Sequence, residues 1–218
     1  MQSFGIGNST EIEVPFEFRH RCWFCGEPSQ YGFIFPHEQH VVIACSHPQL
    51  TVPSCGECLK IANQPKVDSL SQVRFFVKAE LINVYRKDLA IGIHWTPESL
   101  AESGFEGGNF EGFQKSAWMM YEIARDRINF PGWPIVYQGV NIDIEQDKEV
   151  FVFDGIEYPS IDQAIEHYCK SYDLNKAFFK KVLLIKGSQN FAATVRLCRI
   201  YVGATPQERS AALNQLTS

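Results

Sequence analysis

Four cysteines limit this chain more than any other feature. Cys22 and Cys25 in "RCWFCGEP" and Cys55 and Cys58 in "PSCGECLKIAN" form two Cys-x-x-Cys pairs with residues 26–54 between them. Such a pair turns tightly enough to aim two thiolates at one point, and two pairs supply the four ligands of a tetrahedral structural zinc site. The pattern predicts zinc held by Cys22, Cys25, Cys55 and Cys58, with Cys45 and His47 as alternative donors. Residues 18–65 are rich in Gly, Pro and aromatics and are too few to bury a core of their own. Metal binding would therefore supply the folding energy of this segment.

Composition narrows the setting. At 218 residues, 45% hydrophobic and 21% charged, the chain matches a globular protein with a sizeable core. No apolar run is long enough to span a bilayer, and the opening "MQSFGIGNSTEIEV" lacks the basic and apolar regions of a signal peptide. Seven cysteines without such a leader predict a cytoplasmic protein whose thiols bind metal rather than pair as disulfides. A net charge of −5 argues against coating nucleic acid by overall charge. Residues 155–202 differ, with seven Lys or Arg against four acids. If DNA is a partner, it should dock there.

Periodicity and end signals place the elements. Leu70, Val73, Val77, Leu81, Val84 and Tyr85 recur at helical spacing behind Asp68 or Ser69 as cap. "TPESLAES" begins a short helix at Thr96-Pro97, and a longer one runs through "FQKSAWMMYEIARDRI". "IEVPFEF" is a candidate strand, and "EVFVFDGIEYPS" reads as a hairpin turning at Asp154-Gly155. From Ser160 onward only helices are predicted, with Gly187 closing one and Thr205-Pro206 opening the last. Cys169 and Cys198, alone on such helices, read as small buried hydrophobes.

The order of parts from Cys22 to Asn63 resembles the zinc-containing HNH endonucleases, whose treble clef runs knuckle, β-hairpin, second knuckle and helix. "EQHVVIA" is similar to their hairpin segment, which implies His40 as the general base, and Asn63 matches their last helical position. In that family a His activates water while a magnesium or manganese ion, separate from the zinc, stabilises the phosphate. Here Gln39 stands where the family carries Asp or His, and Leu59 replaces another ligand. A second stretch, residues 151–182, resembles the helix-turn-helix segments appended to homing endonucleases, with Gly155, Tyr158, Ser160 and Ala164 on the matching positions. That resemblance implies phosphate contacts from Lys176, Lys180 and Lys181.

The expected fold class is α+β: a zinc-bound treble clef (β-hairpin plus helix) over 1–65, a helical middle over 66–148, and a β-hairpin with helix-turn-helix-like helices over 149–218. The expected function is zinc-dependent DNA binding on an HNH-like scaffold with cleavage lost or altered. The alternatives are an active metal-dependent endonuclease using His40 and Asn63, and a zinc-stabilised protein–protein adaptor.

Overall fold

The computed structural model describes residues 10–36, 47–102, 108–142 and 150–217. It is an α+β structure, mostly helical, and divides into two compact units, 1–159 and 160–218.

The first unit opens with β1 (Thr10–Glu11), then β2 (Tyr31–Phe35) and β3 (Leu50–Ser54). β3 is the central strand, parallel to β1 and antiparallel to β2, with Phe33 opposite Val52 and Phe35 opposite Leu50. Period-two alternation puts Phe33, Phe35, Leu50 and Val52 on one buried face. Trp23 and Phe24, the two residues between the first cysteines, are fully buried beside it. "IEVPFEF" does not form the expected strand: pairing stops at Glu11, and Phe16–Phe18 wind into one 3₁₀ turn after Pro15. Proline has no N–H to give a ladder.

Helix α1 (Gly56–Ala62) follows at once, then α2 (Leu70–Val84), α3 (Arg86–His94), α4 (Pro97–Ala101) and α5 (Gly108–Asn129). Ser69 caps α2 by accepting from Gln72 N–H, and Thr96 and Ser99 form a reciprocal capping box on α4. Leu70, Val73, Val77 and Leu81 are buried as their spacing predicts. Val84 is 55% exposed, because α2 ends on it. Two hairpins complete the unit: β4 (Val136–Tyr137) with β5 (Val140–Asn141), and β6 (Phe151–Phe153) with β7 (Ile156–Tyr158). The second turns at Asp154-Gly155, both left-handed, which is the geometry that dipeptide favours. Asn129 at the end of α5 holds this hairpin, donating to Gly155 O and accepting from Glu157 N–H.

The second unit is α6 (Ile161–Tyr172), α7 (Lys176–Lys186), α8 (Phe191–Ile200) and α9 (Pro206–Thr217). Ser160 and Asn175 cap α6 and α7, Asp173 ends α6 in a left-handed conformation, and Gly187 ends α7. Phe178, Phe179, Val182 and Leu183 of α7 pack with Tyr168 and Phe191 in its core. Cys169 and Cys198 are buried there; desolvation pushes their thiols up to about 11 and about 12, so they are inert at neutral pH. Among the described residues no helix is long and apolar enough to cross a membrane.

Candidate metal centre

Each cysteine pair is placed by its own backbone. In the first, Gly26 N–H donates to Cys22 O at 2.9 Å, and Cys22 N–H donates to Glu27 O at 2.6 Å, closing the turn. Gly26 makes this turn at φ +76°, where a side chain would be strained. Trp23 N–H donates to Pro53 O at 2.9 Å, which docks the knuckle on β3. In the second pair Cys55 is the N-cap of α1, and its sulfur accepts from Cys58 N–H at 3.4 Å. A helix N-terminus favours a thiolate there.

The two knuckles converge. The sulfurs of Cys22, Cys25, Cys55 and Cys58 all lie within 4.8 Å of one another, and Cys25 Sγ is 3.8 Å from Cys55 Sγ. Zinc–sulfur bonds of about 2.3 Å in a tetrahedron place sulfurs about 3.8 Å apart, so the donor set fits zinc in type, number and spacing. Hydrogen bonding inside the cluster splits the thiols. The bond from Cys25 pulls Cys22 down to about 7 and that from Cys22 pulls Cys55 lower, while Cys25 and Cys58 are pushed up. Four thiolates crowded together without a cation would repel. A divalent cation removes that conflict, which is what a bound zinc would supply here while cross-linking the two knuckles.

Cys22, Cys25 and Cys58 are buried, and Cys55 is half-buried at a shallow groove of about 330 Å³ that Glu27, Gln30, Glu57 and Arg127 also line. Around the sulfurs stands a shell that no sequence pattern marks. Arg127 of α5 reaches Cys25 Sγ at 3.6 Å and Glu57 Oε2 at 2.5 Å. Burial opposes its charge, but the Cys25 sulfur and Glu57 outweigh that and hold the guanidinium firmly protonated. Tyr85 donates to the same Glu57 oxygen at 2.9 Å. Burial, then the bond to Glu57, pushes the Tyr85 phenol up to about 12. Lys78 of α2, 8% exposed, extends its ammonium into the carbonyls that end α5. A lysine beside the apolar stripe of an amphipathic helix reads as solvated, and an arginine in a helix's last turn reads as a dipole partner.

The other sequence-derived site residues fall differently. His47 stands outside the sulfur cluster; its Nδ1 donates to Pro48 O at 2.8 Å and its ring faces Phe35. Cys45, Gln39 and His40 lie outside the described residues. Asn63 is the exposed C-cap of α1, with its Nδ2 donating to Leu59 O at 2.9 Å. On α7, Lys176 pairs with Glu166, and Lys180 pairs with Asp162 at 2.6 Å. Glu166 also takes Lys170 at 3.0 Å, so one carboxylate serves two lysines. Lys181 is exposed and has no ion-pair partner among the described residues.

Comparison with known proteins returns no family model, no curated protein and no solved structure that matches the chain. The chemistry of the centre therefore rests on its own geometry.

Proposed function

We propose that this is a zinc-dependent DNA-binding protein in which the metal folds the first unit and the basic helices of the second hold the phosphate backbone. The observation that carries the reading is the convergence of four thiols at zinc spacing. The order around them, knuckle, β2, β3, knuckle and α1, is the order a treble clef would need, and this supports the reading of an HNH-like scaffold. Charge supports the second step: residues 160–218 carry eight Lys or Arg and four acids, net +4 in a chain of −5. The three-residue turn Asp173-Leu174-Asn175 between α6 and α7 is short enough for a helix-turn-helix.

Cleavage is the second reading, and it requires His40 with magnesium or manganese. Asn63 caps its own helix and Leu59 offers no ligand atom, so the geometry favours binding without cleavage. The adaptor is the third reading, with zinc folding a protein-docking surface. Elemental analysis and a DNA-binding titration across salt separate the three. The proposal expects one zinc per chain and a Kd that weakens steeply with salt, as counterion release requires. Plasmid nicking in magnesium or manganese that His40→Ala abolishes would establish the nuclease. Zinc at one equivalent with no DNA binding at low salt would leave the adaptor.

A further inference from the structure

Arg127 lies 102 residues beyond Cys25, yet its Nη2 is 3.6 Å from Cys25 Sγ. That nitrogen carries two N–H bonds. One is directed at Glu57 Oε2, 2.5 Å away, and the other at the sulfur. Nη1 donates to Tyr85 Oη, and the guanidinium carbon stands 4.8 Å from the Tyr85 ring centroid. Only 9% of the side chain reaches solvent. A guanidinium is costly to bury unless negative charge faces it. Zinc bound by four thiolates is a dianion, and Arg127 touches one of those thiolates.

We infer that Arg127 is a positioning residue of the metal centre: its N–H···S hydrogen bond to Cys25 holds the zinc–thiolate bond and ties metal occupancy to the end of α5. The inference rests on the zinc reading above. Two further observations carry it. Lys78 donates to the carbonyls of Arg127 and Ile128, which pins the last turn of α5 to α2 at the residue that carries the guanidinium. Arg127 also lines the groove at Cys55, the one half-buried ligand, where a proton or chelator would first reach the sulfurs. A hydrogen bond to a thiolate withdraws charge from sulfur and makes protonation, the first step of zinc loss, harder. Partners of this kind change metal affinity about ten- to a hundredfold.

The test uses the full chain loaded with zinc or cobalt, comparing wild type with Arg127→Met and Glu57→Gln. Zinc transfer to a chromophoric chelator gives the release rate, and the sulfur-to-cobalt charge-transfer band reports electron density on sulfur. Arg127→Met should still bind one metal, release it about ten- to a hundredfold faster, and shift the band to lower energy. Glu57→Gln, which breaks the ion pair without removing the N–H donor, should leave the band in place. A folded Arg127→Met with the wild-type band and release rate overturns the inference. Should that variant not fold, the wild type loaded with NMR-active cadmium decides. A coupling between an Arg127 side-chain proton and the metal is expected across the hydrogen bond, and its absence overturns the inference. A wild-type chain that takes up no metal at all overturns the zinc reading itself, and the inference falls with it.

Discussion

Lys78 Nζ lies 2.6 Å from the carbonyl oxygen of Ile128, with those of Arg127 and Phe130 at 3.0 and 2.8 Å. Three N–H bonds meet three carbonyls that a helix end leaves without partners. Arg74 adds a fourth contact, donating to Phe130 O at 3.0 Å while its guanidinium lies 4.8 Å from the Trp23 ring centroid. One end of α5 is thereby locked to α2 and, through Trp23, to the first knuckle.

Lys78→Met should be strongly destabilising. The methionine fills the channel but leaves the buried carbonyls of Arg127 and Ile128 without a donor, while Phe130 O keeps Arg74; at about 1–3 kcal/mol each before relaxation, a loss of about 3 kcal/mol is expected. Urea unfolding of the zinc-loaded chain measures it. A loss under about 1 kcal/mol would mean that water replaces the ammonium group.

The same lysine gives stability a pH dependence. Burial, followed by repulsion from Arg74, pushes its pKa down from 10.5 to about 7, against a smaller upward pull from Cys25, Cys58 and Cys22. An unfolded lysine keeps its proton to about pH 10.4. Above pH 7 the folded chain thus binds fewer protons than the unfolded one, so stability rises with pH in that window and falls as pH drops through 7. Between pH 7 and 8.5 the wild type should therefore become more stable, by at most about 1.4 kcal/mol per unit from this group. Lys78→Met should flatten that slope; unfolding midpoints at several pH values supply the comparison, and parallel curves would reject the assignment.

Gly26→Ala should weaken zinc binding while leaving the second unit folded. The residue has φ +76°, and a Cβ there would stand 2.7 Å from the Phe130 ring. The strain is about 1–3 kcal/mol and falls on the turn that aims Cys22 and Cys25. Competition with a zinc chelator reads the affinity, and wild-type affinity would show that the knuckle adjusts without effect.

Glu166→Gln tests the DNA-binding face by gain rather than loss. The substitution releases Lys170 and Lys176 from one carboxylate and removes a negative charge, while the helix cap at Ser160 is untouched. DNA affinity should rise and the salt dependence should steepen, by up to about one unit of slope for each new phosphate contact. Lys181→Ala should act in the opposite sense. No change in either variant would move DNA away from these helices.

Much of the fold was legible because its signals are local. Ser69, Thr96, Ser160 and Gly187 end helices through bonds to residues three or four positions away, and Asp154-Gly155 turns a hairpin by its own dihedral preferences. The two Cys-x-x-Cys spacings likewise determine where each pair of thiols points. What surrounds those thiols was decided only by tertiary packing. Arg127 reaches Cys25, with Tyr85 on Glu57 and Lys78 on the end of α5 behind it, because α2 packs against both α1 and α5, and no periodicity encodes a contact across 102 residues. The lysines of α7 were legible as charges, but their pairing with Asp162 and Glu166 depends on how α6 and α7 cross. Backbone preferences act over a few residues and can be read in order. Burial of charge depends on which surfaces meet, and that is a property of the folded chain alone.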